Sequence, residues 1–375
     1  MKILHISNDF CHTKVHSMLY RELDRLGVDQ TVFNPVRDAT LVGGNSFEGQ
    51  YTTIIYAHVV KPWHKYTYYL KRRHVFNEML KRINPQEYTL THATTLLTDG
   101  GLAYQLYKRY GIPYIVAVRN TDVNEFMNFM PHTWIAARQI LLHAEKILFI
   151  GKSLHQALVS HKAIRGIVPQ IENRFVFIPN GINDYYLDHV SHSRDTGHNI
   201  VYVGSFDNNK NVVRLAKAVL KMRNQPQFAD CTLTLVGGGR AETDEMERMM
   251  TEHPDVFHFV GRIEEPSQMC EVFSQASIFA MPSLHETFGL VYIEALTQNL
   301  PVLYTRGQGV DGLLPPSAGI AVNPYSVDDI VHGLAMLLTN KDMGNYNVDF
   351  EQFRWSKIAE KYKTIYKNVS TTNEH

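Results

Sequence analysis

Two glutamates, Glu286 and Glu294, stand eight residues apart around a short turn and an apolar run, and this spacing constrains what their carboxylates can do. If one helix ran through the segment, eight residues would rise roughly 12 Å and turn the two side chains roughly 80° apart. Carboxylates that flank one glycosidic bond lie roughly 5–9.5 Å apart, so these two do not suit a shared proton transfer. They can instead hold two ends of one extended ligand.

The turn between the two glutamates predicts an anion site. An apolar strand, Ser277–Met281, leads into it. Thr287 can cap the helix that follows, and the backbone N–H groups from Phe288 to Val291 would then face an incoming anion. The segment therefore predicts a ligand with an anionic group between two polar ends.

Glu-x7-Glu after a strand, with Phe-Gly-Leu just past the first Glu, resembles the donor-site signature of retaining family 4 glycosyltransferases, which have the GT-B fold. The resemblance implies that Glu286 binds the hydroxyls of the donor sugar at the catalytic centre and that Glu294 binds the ribose. The amides between them would hold the diphosphate. The donor-site residues implied in this segment are Glu286, Thr287, Phe288, Gly289, Leu290 and Glu294.

A second donor-side segment follows the strand Asn199–Val203. The family carries an Arg just after Gly204 and a Lys about five residues later, both on the diphosphate. Lys210 matches the Lys, whereas Ser205 stands where the Arg is usual, so one phosphate cation is missing. Arg262 is expected near the base or the diphosphate, where it would partly replace the missing Arg. A solvated helix start is the alternative for Lys210.

The first half departs from the family in its polar loop after the strand Tyr114–Val118. The family often has His-Gly-Thr-Asp there, and this chain has Arg119 and Asn120 before Thr121 and Asp122. An Arg cannot act as a general base, because it stays protonated. Arg119 could stabilise charge on the leaving phosphate or bind an anionic acceptor, and the resemblance places it with Asp122 at the catalytic centre. A salt bridge between the two is the alternative.

Three residues are candidates for the acceptor side. His92 ends a strand, Lys14 follows the loop after the first strand, and Asn120 lies beside Arg119. The alternatives are a structural histidine and a lysine that only contacts solvent.

Residues 61–82 form a basic segment, with seven Lys or Arg against one Glu and aromatic residues between them. Such a helix can lie on an anionic membrane or hold a lipid-linked acceptor. It can also pack its aromatic side chains inward and leave its charges in solvent. Both interpretations stay open.

The composition excludes several classes of protein. The formal net charge is zero, so no global field attracts nucleic acid. The three cysteines, Cys11, Cys231 and Cys270, have no metal-type or redox spacing, and no metal or cofactor is expected. The start resembles a strand rather than a signal peptide, and no apolar run approaches about eighteen residues. We therefore expect a cytoplasmic protein, with peripheral contact on the inner membrane face as the alternative.

Strand-like and helix-like segments alternate along the 375 residues, with seven strands in the first half and six in the second. Alternation of this kind predicts an α/β protein with two parallel sheets. A polar stretch from Asp188 to Asn199 marks the boundary. We expect a Rossmann-like acceptor-side domain over 1–187 and a nucleotide-sugar-binding one over 188–352. The GT-B resemblance implies that they face each other across a cleft and that residues 353–375 form a helix crossing back to the first.

These features predict a retaining glycosyltransferase that moves a sugar from a UDP- or GDP-sugar to a hydroxyl of a saccharide or lipid-linked acceptor. Cell-surface polysaccharide or glycan synthesis is the expected setting. A sugar-nucleotide epimerase of the same fold would need no acceptor. A non-catalytic sugar-nucleotide binder is a further alternative, suggested by the missing Arg and His.

Overall fold

The chain forms two compact units. The structure, a computed structural model, describes residues 1–239, 242–340 and 342–372, and the side chains of all of these except Lys65, Tyr66 and Thr372. Residues 1–150, 154–180 and those from Trp355 onward form the first unit, and residues 151–153 and 181–354 form the second. The main division between the two units therefore falls after residue 180, whereas the linker composition predicted it after residue 187.

The first unit is built on a parallel seven-stranded sheet in the order β3-β2-β1-β4-β5-β6-β7. Its strands are β1 (Lys2–Ile6), β2 (Asp29–Val36), β3 (Thr52–His58), β4 (Leu90–Ala93), β5 (Tyr114–Ala117), β6 (Lys146–Phe149) and β7 (Phe175–Phe177). The central strands are buried and apolar, as parallel strands covered on both faces must be.

The helices that lie wholly or mostly in the first unit are α1 (Lys14–Arg25), α2 (Tyr68–Leu80), α3 (Thr98–Tyr110), α4 (Trp134–His143), α5 (Lys152–Ser160), α6 (Val168–Ile171) and α13 (Trp355–Thr372). The last of them confirms the predicted crossing helix over its described residues. Trp355, Ile358 and Tyr366 are buried in one apolar cluster with Ile3 and Leu19 of the first strand and helix. The C-terminal helix thus completes the core of the N-terminal unit.

The second unit is built on a parallel six-stranded sheet in the order β10-β9-β8-β11-β12-β13. Its strands are β8 (Asn199–Gly204), β9 (Thr232–Gly237), β10 (Phe257–Gly261), β11 (Ile278–Ala280), β12 (Val302–Thr305) and β13 (Gly319–Val322). Its helices are α7 (Asp184–Asp188), α8 (Val212–Met222), α9 (Thr243–Glu252), α10 (Pro266–Ser274), α11 (Leu290–Thr297) and α12 (Val327–Thr339). The predicted strands are confirmed in both units.

The strand order reverses once in each sheet, between β1 and β4 and between β8 and β11. In open parallel sheets, ligands bind beyond the carboxyl ends of the strands at this reversal. The loops after β8 and β11 carry Lys210 and Glu286, so the topology alone brings these two residues to one edge of the second sheet.

None of the helices in the described ranges has the length and apolar composition that a membrane span requires.

Candidate functional site

The loop after β8 is a tight turn stabilised by Asp207. The Ser205 hydroxyl donates to Asp207 Oδ2 over 2.6 Å, and the Lys210 backbone N–H donates to Asp207 Oδ1 over 2.8 Å. Asn211 then caps α8 with a left-handed backbone, φ 61°. Lys210 therefore lies just before the helix rather than in its first turn, and Ser205 is engaged within the loop.

Lys210 and Glu286 form an ion pair, with 2.7 Å between Lys210 Nζ and Glu286 Oε2. The two side chains are only 26% and 11% exposed. The other carboxylate oxygen, Oε1, accepts the backbone N–H of Thr287 over 3.0 Å. The structure thus brings together two residues that the sequence assigned to the donor site, and it gives Lys210 a specific partner.

Asn209 and Gln308, which sequence reasoning did not single out, hold this pair in place. Asn209 Nδ2 donates to the carbonyl of His285, and its Oδ1 accepts the His285 N–H, both over 3.0 Å. Gln308 Oε1 accepts the Glu286 N–H over 2.7 Å, while its Nε2 donates to the Leu284 carbonyl over 2.8 Å. Three loops, after β8, β11 and β12, are fixed by these bonds. The only sequence signal for Gln308 was its position between two glycines.

Two glycines leave room for the Glu286 side chain. Gly289 has φ +75°, and a Cβ there would lie 3.2 Å from Glu286 Cγ and 2.3 Å from the ring of Tyr292. Gly309 has φ +55°, and a Cβ there would lie 3.0 Å from Glu286 Cγ. A side chain at either position would be strained and would displace the glutamate.

The start of α11 differs from the prediction in its cap. The helix begins at Leu290 with Gly289 as its N-cap, and no side chain caps it. The predicted capping by Thr287 is wrong, because the left-handed Gly289 separates Thr287 from the helix. The backbone N–H groups from Phe288 to Val291 nevertheless donate to no other group in the described part of the chain, as expected. Phe288 itself is 2% exposed, so its side chain is not available to a ligand.

Glu294 lies within α11 and is partly buried. Burial raises the pKa of its carboxyl to about 7. Burial, and to a smaller extent the charge of Glu294, raises the pKa of Cys270 to about 11. Its carboxylate accepts no hydrogen bond from the residues that the structure describes. A desolvated carboxylate of this kind favours a ligand that brings hydroxyl donors.

The remaining donor-side residues, Gly204 and Arg262, contact groups other than the Lys210–Glu286 pair. Gly204 ends β8 against Gly237, where a Cβ would lie 1.9 Å from the Gly204 carbonyl oxygen. Arg262 is 81% exposed and pairs with Glu264 over 3.2 Å. Its role as a replacement for the missing family Arg stays a prediction.

In the first unit, Asp122 accepts hydrogen bonds from backbone N–H groups through its carboxylate. It is 1% exposed, and its carboxylate accepts the N–H groups of Leu96, Leu97 and Arg119 over 2.9, 3.0 and 2.9 Å. Burial raises the pKa of Asp122 to about 6 despite these bonds. The side chain of Arg119 turns elsewhere, since its Nε donates to the Thr94 carbonyl over 3.0 Å. The alternative of a salt bridge between Arg119 and Asp122 is wrong, because the contact uses the Arg119 backbone.

The acceptor-side candidates are dispersed. His92 is 2% exposed and lies in a buried cluster, 3.3 Å from His5 Nδ1 and 2.9 Å from the Tyr366 hydroxyl of α13. Burial lowers the pKa of His92 well below its usual value. Its side chain therefore presents no surface to an acceptor in this structure. Lys14 is exposed at the start of α1, and Asn120 accepts a hydrogen bond from Asn124.

No group of three or more His, Cys, Asp or Glu side chains suited to a metal ion occurs within the described ranges.

Residues 197–340 match the family model described as glycosyl transferases group 1. This match over residues 197–340 confirms the resemblance that the Glu-x7-Glu segment indicated. Sulfoquinovosyl transferase of Arabidopsis thaliana is 29% identical over 147 residues, which cover 38% of this chain and 27% of that protein. The chain thus spans about a quarter of the length of this relative.

Two solved structures resemble the whole chain. Sucrose-phosphate synthase of Thermosynechococcus elongatus has a TM-score of 0.74 at 18% identity, with 100% of both chains covered. Anabaena HepE in complex with UDP has a TM-score of 0.67 at 14% identity, with 99% of both covered. At these identities the likeness establishes the fold, and the predicted GT-B fold is confirmed.

The buried carboxyl of Glu294 gives a pH-dependent prediction. Because its pKa is raised from 4.5 to about 7, its contribution to stability is complete below pH ~4.5 and is lost as the pH rises through ~7. We expect Glu294→Gln to raise the thermal unfolding midpoint relative to wild type more at pH ~8 than at pH ~5. Thermal unfolding of both proteins at the two pH values measures this difference. Glu271→Gln, at an exposed site on α10, is the control, and an equal effect of Glu294→Gln at both pH values would contradict the prediction.

Proposed function

We propose that this chain is a retaining glycosyltransferase that moves a sugar from a UDP- or GDP-sugar to a hydroxyl of a saccharide or lipid-linked acceptor. Its expected setting is the synthesis of cell-surface polysaccharide or another glycan. The observation that carries the proposal is the ion pair between Lys210 and Glu286, at the strand-order reversal of the second sheet and next to the free amides at the start of α11.

The donor diphosphate would replace one half of this ion pair. Lys210 and the free N–H groups from Phe288 to Val291 offer a cation and aligned donors to its oxygens. Glu286, released from Lys210, would accept hydrogen bonds from the sugar hydroxyls. The pair thus keeps both groups ordered and charge-compensated until the donor arrives, which limits the cost of ordering them on binding.

Glu294 would accept hydrogen bonds from the ribose hydroxyls. Its carboxylate is partly buried and has no donor among the described residues. Two hydroxyl donors from a ribose would satisfy it and favour its ionised form. The solved structure of Anabaena HepE is a complex with UDP, and this supports a nucleotide donor for a protein of the same fold.

In the proposed reaction, the acceptor oxygen attacks the anomeric carbon on the face that the diphosphate leaves. The bond from that carbon to the diphosphate oxygen breaks, and the leaving diphosphate takes the acceptor proton. Lys210 and the amides at the start of α11 stabilise the charge on the diphosphate. Neither Arg119 nor Asp122 is needed as a base, and the role of Arg119 on the leaving phosphate stays a prediction.

Replacing Lys210 tests the proposal. We expect Lys210→Gln to lower kcat/KM for the donor by at least tenfold, about 1.4 kcal/mol, because the diphosphate loses its cation. Release of nucleotide diphosphate from UDP- and GDP-sugars, with and without a panel of acceptors, is the measurement. Lys217→Gln is the control, since Lys217 lies on α8 but is 53% exposed and pairs with Glu245.

Three outcomes of that assay differ in meaning. Acceptor-dependent release that Lys210→Gln reduces supports the transferase. Conversion of the donor sugar to its epimer without acceptor would show that the protein is an epimerase rather than a transferase. Donor binding without turnover for any acceptor would leave only a binding protein.

Peripheral membrane contact through residues 61–82 is a further part of the proposal. On this segment Trp63, Tyr69 and Leu70 are 48%, 43% and 56% exposed, next to exposed Arg73. Exposed apolar groups beside basic ones suit an anionic bilayer surface. The alternative, in which the segment packs side chains inward, also holds in part, because Val75, Phe76 and Met79 are buried. We expect the segment to use both faces.

Sedimentation with vesicles tests this contact. The double variant Trp63→Ser, Leu70→Ser should lose at least fivefold in partitioning onto vesicles with about one third anionic lipid, because it removes apolar area worth roughly 25 cal/mol per Å². Tyr325→Ser, at a residue that is 63% exposed in the second unit, is the control. Unchanged binding of the double variant, or equal binding to neutral vesicles, would contradict membrane contact through this segment.

A further inference from the structure

A cavity of about 480 Å³ lies within the first unit, beyond the ends of β1 and β2 and between α2 and α3. Five basic or imidazole side chains line it: His12, Arg37, His64, Lys71 and Arg72. The one carboxylate among its described lining residues is Asp38, which accepts the Thr40 N–H over 2.9 Å. The cavity therefore has a strong excess of positive charge.

Among the residues that the structure describes, none forms an ion pair with the cations of the cavity. Neither Arg37 nor Lys71 forms a salt bridge with any residue in the described ranges. Burial lowers the pKa of Lys71, although the nearby Asp99 and Asp9 partly oppose this. Burial raises the pKa of Asp99 to about 7 and also raises the pKa of Asp9.

His64 supplies a donor that has no acceptor. Its side chain is 2% exposed, and its Nδ1 accepts the Lys61 N–H over 2.9 Å, so the ring proton lies on Nε2. Nε2 is buried and has no hydrogen-bond partner in the described structure, and the same holds for Nε of Arg72. A buried donor left unsatisfied costs roughly 1–3 kcal/mol, which a bound oxygen acceptor would recover. Two residues that line the cavity thus each carry a buried donor without a partner among the described residues.

The geometry of α2 and α3 keeps these groups at the cavity. The Arg72 guanidinium stacks over Tyr68 and Tyr69, 5.5 and 5.2 Å from the ring centres, and the Tyr68 hydroxyl donates to the Leu97 carbonyl over 3.0 Å. A Cβ at Gly101 of α3 would lie 2.8 Å from Arg72 Cδ. Only glycine therefore lets the Arg72 side chain lie against α3 without displacement.

The rest of the wall is apolar, with Val60, Val75, Leu102, Phe126 and Met130 among its residues. A free inorganic ion would leave this surface uncovered, whereas a larger ligand with a hydrocarbon or ring body would bury it.

We propose that this cavity binds an oxyanion of the phosphate class that is joined to an apolar body, and that this group belongs to the acceptor. The assignment to the acceptor rests on the proposed transferase function. Lys71 and Arg37 would meet the charge, and His64 Nε2 would donate to an oxygen of the anion. A phosphorylated small molecule and the phosphate of a lipid share this chemistry.

Calorimetric titration of the full chain tests the proposal, with hexyl phosphate, inorganic phosphate and hexanol as probes. We expect hexyl phosphate to bind at least tenfold more tightly than either of the others. Lys71→Gln and His64→Phe should each weaken its binding at least tenfold. Lys108→Gln, at an exposed lysine of α3 outside the cavity, should change it less than twofold. Vesicles that carry a long-chain alkyl phosphate, compared with hexyl phosphate, then distinguish the two sources.

Binding of UDP is measured on the same samples, because the donor residues lie in the second unit. A protein that binds UDP but no hexyl phosphate overturns this inference and leaves the proposed function standing. Equal affinity for inorganic and hexyl phosphate, or equal losses in Lys71→Gln and Lys108→Gln, also overturns it. A far-UV circular dichroism spectrum and a thermal unfolding profile that match those of the wild type show that Lys71→Gln and His64→Phe fold in both units.

Discussion

The ion pair between Lys210 and Glu286 is the interaction on which the candidate donor site depends. Its two halves come from loops after neighbouring strands, so it forms only where the strand order reverses. A poorly exposed ion pair is stable only if further hydrogen bonds satisfy it. Thr287 meets one carboxylate oxygen, while Asn209 and Gln308 fix the loops around it. Hydrogen bonds from the chain itself therefore hold the loops of the site together.

The two units present different electrostatic environments for ligands. In the second, one cation is paired with Glu286, and Glu294 is a partly desolvated carboxylate, so a ligand there must bring both an anion and hydroxyl donors. In the first, Lys71 lies at a cavity with unsatisfied donors, and His64 supplies one of them. A nucleotide sugar fits the environment in the second unit, and an amphipathic phosphate fits the cavity in the first unit.

The sequence predicted the strands well, because buried parallel strands are continuous apolar runs. The family resemblance assigned Lys210 and Glu286 to one donor site, and both residues follow such strands. The contacts of individual side chains were harder to predict from the sequence than the strands. Thr287 has the right residue type for a cap, but the left-handed Gly289 takes that place. His92 is buried under Tyr366 of α13, a contact across 274 positions that no local pattern contains. Gln308 acts through its amide, and an amide in a glycine loop has no distinctive spacing.

Thermal unfolding in the presence of UDP-, GDP- and ADP-sugars tests the central claim most directly, with wild type and Glu294→Ala compared. The account predicts that sugars of one nucleotide, UDP or GDP, raise the unfolding midpoint of the wild type and that Glu294→Ala loses this stabilisation. Stabilisation by none of the sugar nucleotides, or equal stabilisation of the variant, would contradict a donor site built on Lys210, Glu286 and Glu294.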